Sequence, residues 1–174
     1  MACLYFDSTA QKEQSAVNVL GALLKQIISG FEQIPKEITD AFRRHKKFIG
    51  AREPQLPEIV KMLEGLSSTQ PTFFCLDGLD ECAAPDRAKI LRSLKDIIKT
   101  SPTARVFLTG RPHVGSEVGK HLPEGVALLS ISPPMSDIAL FIQTKLAEDT
   151  IVDEIDEGLE AEILEKIPET FSDM

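Results

Sequence analysis

No apolar run in this chain approaches the about 20 residues that a membrane-crossing helix needs. The first such stretch, Ala2 to Phe6, is far too short for the core of a secretory leader. A cytoplasmic protein is therefore expected. Cysteine is scarce: Cys3, Cys75 and Cys82 form an odd set without metal-ligand spacing, and two of them fall in apparent strands. Reduced, buried or partly buried thiols are expected from such a set. His45, His113 and His121 are scattered, with no Ser, Cys or Asp partner at recognisable spacing, which speaks against a hydrolase triad and a zinc site. No basic stripe interleaved with aromatics occurs, so nucleic acid is not an expected partner. The one basic cluster, Arg43, Arg44, Lys46, Lys47 and Arg52, reads as the wet face of a helix and its exit loop. No internal repeat is found.

What is present is ordinary globular material. The 174 residues are 43% hydrophobic and 26% charged, enough for one domain with a sizeable core, or most of one. The net charge of −8 is unevenly spread, because from Glu148 onward Lys166 is the only basic side chain.

Two segments carry chemistry. Phe73-Phe74-Cys75-Leu76 is a continuous apolar run, which fits a parallel strand covered on both faces, and Asp77-Gly78 marks its end. It thus delivers Asp77, Asp80 and Glu81 to the carboxyl edge of a sheet, where ligands of open α/β folds bind. Asp77 can hold Mg²⁺ directly or through water. Asp80 or Glu81 can orient or deprotonate an attacking water. The plainer alternative is a turn followed by a solvated acidic loop. The second segment, Ala104 to Pro112, is a strand ending in Thr109, Gly110 and Arg111. Arg111 can contact a γ-phosphate, and Thr109 can hydrogen-bond an attacking water or a phosphate oxygen. Alternatively, Arg111 simply pairs with Asp77, Asp80 or Glu81.

The remaining elements read as an α/β alternation. Ala2 to Phe6 is another continuous apolar strand, and it begins so close to the start that the chain looks cut from something longer. Val17, Leu20, Leu24, Ile27 and Ile28 mark a helix over about 15–29, capped by Gly30. Pro35 opens a second helix with Ile38 and Phe42 inside, and Pro57 a third with Ile59, Val60, Leu63 and Leu66. A helix from Pro85 and Asp86 to Thr100 buries Ile90, Leu91, Leu94, Ile97 and Ile98, and Val114 to Leu122 forms a short helix or irregular turn. Val126 to Ile131 reads as a fourth strand, stopped by Pro133-Pro134. Ser136 is then expected to cap a helix carrying Ile138, Leu140, Phe141, Ile142 and Leu146. The acidic tail adds weak helical stripes through Ile151, Ile155, Leu159, Ile163, Leu164 and Ile167, with Phe171 awaiting a partner.

Four apolar residues followed by Asp-Gly-Leu-Asp-Glu, and a strand ending in Thr, a small residue, Arg and Pro, resemble the Walker B and sensor 1 elements of NACHT-type signalling NTPases of the STAND class. Nephrocystin-like P-loop domains of fungal multidomain receptors are included in that resemblance. It implies an incomplete P-loop NTPase sheet of the ASCE type flanked by helices, with the partial nucleotide-binding core at 1–132 and the start of a helical subdomain at 133–174. It also implies Mg²⁺ with ATP or GTP, Asp77 for the metal, Asp80 and Glu81 for water, and Thr109 and Arg111 for the γ-phosphate. Gly110 replaces the more usual Ser. The Gly-x-x-x-x-Gly-Lys-Ser/Thr loop that cradles phosphates occurs nowhere in the sequence. The resemblance places it on a strand and helix ahead of Ala2, that strand lying between 105–108 and 126–131. An intact relative would switch between a closed diphosphate state and an open, oligomerising triphosphate state, with roles in non-self recognition and regulated cell death. This chain alone is expected to bind nucleotide weakly or not at all, and a non-catalytic interaction module derived from such a domain is the competing reading. Protein partners or self-association are expected, with no membrane. An unrelated α/β domain with an accidental acidic strand end is the third possibility.

Overall fold

A computed structural model describes residues 1–36, 38–40, 43, 54–122, 126–148 and 157–172. The chain divides into two compact units, Met1–Leu128 and Leu129–Met174.

The first unit is built on three parallel strands, β1 (Ala2–Tyr5), β2 (Thr72–Asp77) and β3 (Ala104–Leu108), in the order β1-β2-β3. Three long helices share its core: α1 (Ala16–Ser29) lies against β1, α3 (Ala84–Thr100) against β3, and α2 (Leu56–Thr69) packs on α1 and α3. Each helix starts and stops where local chemistry dictates. The Ser15 hydroxyl accepts from the Asn18 N–H at 3.3 Å, and the Gly30 N–H closes the far end of α1 on the Ile27 carbonyl. Glu58 accepts from the Gln55 N–H at 2.8 Å ahead of α2, which, like α3, carries a proline in its first turn, where no intrahelical donor is lost. Their apolar faces supply the core: Leu20, Leu23 and Leu24 from α1, Ile59, Leu63 and Leu66 from α2, and Ile90, Leu91, Leu94 and Ile97 from α3. The helix expected from Pro35 is helical at 36 and 38–40 with Ile38 buried, while Phe42, Arg44, Lys46, Lys47 and Arg52 lie outside the described residues.

The strands meet the helices with alternate residues. Ala2, Phe74, Leu76 and Ala104 are buried in the core, and Leu4, Val106 and Leu108 pack against it. The residues between them face the other way, and there Tyr5, Phe73 and Phe107 are 74%, 50% and 63% exposed. This corrects the expectation that the Phe73–Leu76 run is covered on both faces. An uninterrupted apolar run carries no signal of which face meets a helix, and among the described residues the helices cover one.

A 3-10 turn at Pro112–Val114 and a short helix α4 (Gly115–His121) follow β3, burying Val114, Val118 and Leu122. Val126–Ile131, expected as a fourth strand, forms none. The segment has no ladder bonds, and Leu128, Leu129 and Ile131 are strongly exposed. A strand exists only through a neighbour, and among the described residues none pairs with this run.

In the second unit α5 (Met135–Glu148) packs against α6 (Glu157–Ser172). Ser136 is not the cap of α5. The Pro134 carbonyl accepts from the Asp137 and Ile138 N–H groups, so the helix begins ahead of Ser136. Ile142 is buried and Ile138 and Leu146 half-buried on one stripe, whereas Leu140 and Phe141, also expected inside, are exposed. Of the tail residues, Ile163 and Leu164 are half-buried, and Ile151 and Ile155 lie outside the described residues.

Candidate functional site

Parallel pairing sends the carboxyl ends of all three strands to one rim of the sheet, and the sequence places its polar residues there. Asp77 closes β2 and pairs in register with Tyr5 of β1, while Leu76 pairs with Leu108 of β3. Beyond Asp77 the backbone must turn sharply. Gly78 does so at φ 70°, a left-handed conformation that side chains with a Cβ rarely adopt. A 3-10 turn at Leu79–Glu81 then tucks Leu79 into the core and carries Asp80 and Glu81 along the rim.

The end of β3 is tied to this turn through Thr109. Its N–H donates to the Leu76 carbonyl at 3.0 Å, and its carbonyl accepts from the Leu79 N–H at 2.9 Å. Its hydroxyl donates to Asp77 Oδ1 and accepts from the Gly78 N–H at 3.0 Å. Thr109 thus holds Asp77 in one orientation on an otherwise exposed carboxylate.

Asp80 and Arg111 form the second link. Asp80 Oδ1 accepts from the Arg111 N–H at 3.1 Å, and Oδ2 lies 3.4 Å from Arg111 Nε. The carboxylate side chain is only 10% exposed and the guanidinium 77%, so the acid is the anchor and the arginine projects into solvent. Glu81 points elsewhere. Its Oε2 accepts from the Ser8 N–H at 2.9 Å and its carbonyl accepts from Gln11 Nε2 at 2.9 Å, fastening the acidic turn to the loop after β1. In that loop Asp7 accepts from both the hydroxyl and the N–H of Thr9, bonds that hold its carboxyl below the ordinary range. The rim therefore gathers Asp77, Asp80, Thr109 and Arg111 closely, with Glu81 facing the β1 side.

Gly110 is explained by the same packing. A Cβ there would lie 3.1 Å from Val114 Cγ2, so a serine would press on Val114, with Asp80 Oδ1 at 3.4 Å in near-ordinary contact.

Sequence reasoning missed Arg87 and Glu117. From the first turn of α3, Arg87 reaches back to donate to the Cys82 carbonyl at 2.9 Å, and its Nε lies 2.8 Å from Glu117 Oε2 on α4. The pair clamps the acidic turn from behind. The available signal was a cation in the first turn of a helix, where the macrodipole opposes it unless a partner compensates. Between these groups sits Cys82, fully buried. Burial first, then the carboxylates Asp86 and Glu117, push its thiol up to about 11.

As a metal site, the rim offers oxygen donors only. Mg²⁺ keeps several waters and is held through one or two carboxylates plus phosphate oxygens, and an exposed Asp77 oriented by a hydroxyl fits that mode. No curated protein and no solved structure matches the chain. The family model described as nephrocystin 3, N-terminal, matches residues 1–111. That span includes the whole three-stranded sheet and ends on Arg111, the last of the rim residues, and on this match the chain belongs to the nephrocystin 3 N-terminal family.

Proposed function

We propose that this chain is part of a NACHT-type, STAND-class nucleotide switch whose Mg²⁺ and γ-phosphate machinery is the rim at the ends of β2 and β3. The observation that carries the reading is the joining of an acid cluster and a guanidinium on one rim by the Thr109–Asp77 and Asp80–Arg111 bonds. In this reading Asp77 holds Mg²⁺ and Thr109 fixes its carboxylate, while the exposed Arg111 is free to swing from Asp80 to a γ-phosphate. In this reading, release of the Arg111 guanidinium leaves the Asp80 carboxylate to orient water, while Glu81 stays on the Ser8 N–H. Residues 1–132 form the nucleotide core and 133–174 begin the helical subdomain.

With no Gly-x-x-x-x-Gly-Lys-Ser/Thr loop in the sequence, the 174-residue chain alone binds nucleotide weakly or not at all. Calorimetric titration with Mg·ATP and Mg·GTP is expected to show no sub-micromolar affinity, and such affinity would overturn that statement. The rim assignment is tested separately with Mn²⁺ and ATP, followed by NMR. Paramagnetic broadening is expected at 77–81 and 109–111 and is lost in Asp77→Asn. Broadening elsewhere, or unchanged in the variant, would remove the rim from the reading.

The second reading, a non-catalytic interaction module, is favoured by the open apolar sheet face and the outer edge of β3, which no described residue pairs. A defined stoichiometric complex with a full-length relative, indifferent to Asp77→Asn and Arg111→Ala, would select it.

A further inference from the structure

Ion pairs at two places join the acidic turn and the start of α3 to the segment that follows β3, and they differ in how they meet water. The outer pair is the Arg111 guanidinium on Asp80 Oδ2, and the arginine side chain is 77% exposed. The inner pair runs through Arg87 at the start of α3. Its Nη1 donates to the Cys82 carbonyl at 2.9 Å and lies 3.5 Å from the Asp80 carbonyl, while its Nε donates to Glu117 Oε2 at 2.8 Å. The Arg87 and Glu117 side chains are only 12% and 24% exposed.

The chain makes these pairs parallel. Arg111 caps the 3-10 turn Pro112–Val114, which runs straight into α4, so Arg111 and Glu117 belong to one segment. Asp80 and Arg87 belong to the other, which runs from the acidic turn into α3. An exposed ion pair is worth little and is screened by salt, so the Arg111 guanidinium can leave Asp80 at small cost. A buried pair persists, because losing either partner strands a charge away from water. Arg87 also takes the Cys82 carbonyl, where the 3-10 turn ends without a further intrahelical partner. Thr109 meets the same turn at its Leu79 N–H, and Gln11 meets the Glu81 carbonyl from the β1 side. We propose that Arg87 is a positioning residue for the rim: gripped by Glu117, it keeps Asp80 in place on the Arg111 segment when the Arg111 guanidinium swings away. This role rests on the nucleotide-switch reading, whereas the tie itself is present without nucleotide.

The test is NMR of the nucleotide-free 174-residue chain. In the parent, the Arg87 Nε–H is expected to exchange with solvent at least about tenfold more slowly than that of Arg111. Equal rates would overturn the proposal, and this measurement needs no variant to fold. Backbone protection is then compared at 79, 82 and 111, whose N–H groups donate to Thr109, Leu79 and Asp80. Arg111→Ala is expected to keep it within about twofold of the parent, whereas Arg87→Met lowers it at least about tenfold while Phe74 to Leu76 stay protected. The deciding variant combines Arg87→Met with Glu117→Leu, which removes the buried charges but does not restore the bond to the Cys82 carbonyl. Its thermal midpoint is expected to recover toward the parent while 79, 82 and 111 stay fast. Recovery of their protection would make the pair merely structural and overturn the proposal, as would Arg111→Ala matching Arg87→Met. No nucleotide enters these measurements, so their failure is distinct from a failure of Mn²⁺ and ATP to broaden the rim, which would remove the switch reading instead.

Discussion

At the scale of the residue, Thr109 joins the two site segments, and its hydroxyl is the atom to test. Thr109→Val keeps the shape and removes two hydrogen bonds, one to an ionised carboxylate and one from the Gly78 N–H. A loss of about 1–2 kcal/mol is expected in urea unfolding, and Thr109→Ser restores most of it. Cys82 gives a pH signature. Its folded pKa of about 11 lies above that of an exposed thiol, so the native state binds more protons in that window and stability falls as pH rises through it. The chain is expected to lose up to about 2 kcal/mol between pH 8 and 11 through this group. Cys82→Ala flattens that part of the profile, and an unchanged alkaline slope in the variant would assign the loss to other groups.

At the scale of the element, β2, β3, α1, α2 and α3 were legible because each is announced twice, by an apolar pattern and by a terminating residue. Ser15 and Gly30 bound α1, Pro57 opens α2 and Asp77-Gly78 ends β2. Asp77 and Thr109 were legible as rim residues because the end of a strand fixes where its last side chains stand. The Asp80–Arg111 pair was among the pairings the sequence offered for Arg111, whereas the bond from the Ser8 N–H to Glu81 was not legible, since Ser8 reaches it from about seventy residues away in sequence. Arg87 was hidden for the same reason, its partner Glu117 lying across a helix–helix contact. The run Val126–Ile131 misled because apolar composition records a propensity to pair, whereas pairing needs a vacant neighbour. Its amides are therefore expected to exchange with deuterium at rates close to those of an unstructured peptide, while those of Phe74 to Leu76 are strongly protected. Comparable protection in the two segments would mean that Val126–Ile131 has found a strand partner in solution.

At the scale of the whole molecule, a parallel sheet normally has both faces covered, and this one leaves Tyr5, Phe73 and Phe107 in solvent. Phe73 and Phe74 are chemically identical neighbours on opposite faces, so they measure the asymmetry directly. Phe74 is fully buried, and Phe74→Ala should cost about 3–5 kcal/mol through lost burial and the cavity left behind. Phe73→Ala should change stability by less than about 1 kcal/mol, because half of its surface already meets water. An apolar reporter dye such as ANS should bind the native chain through the open face. Phe73→Lys combined with Phe107→Lys should sharply reduce the dye signal at unchanged helix content. If instead Phe73→Ala were as damaging as Phe74→Ala, the second face would be packed in solution.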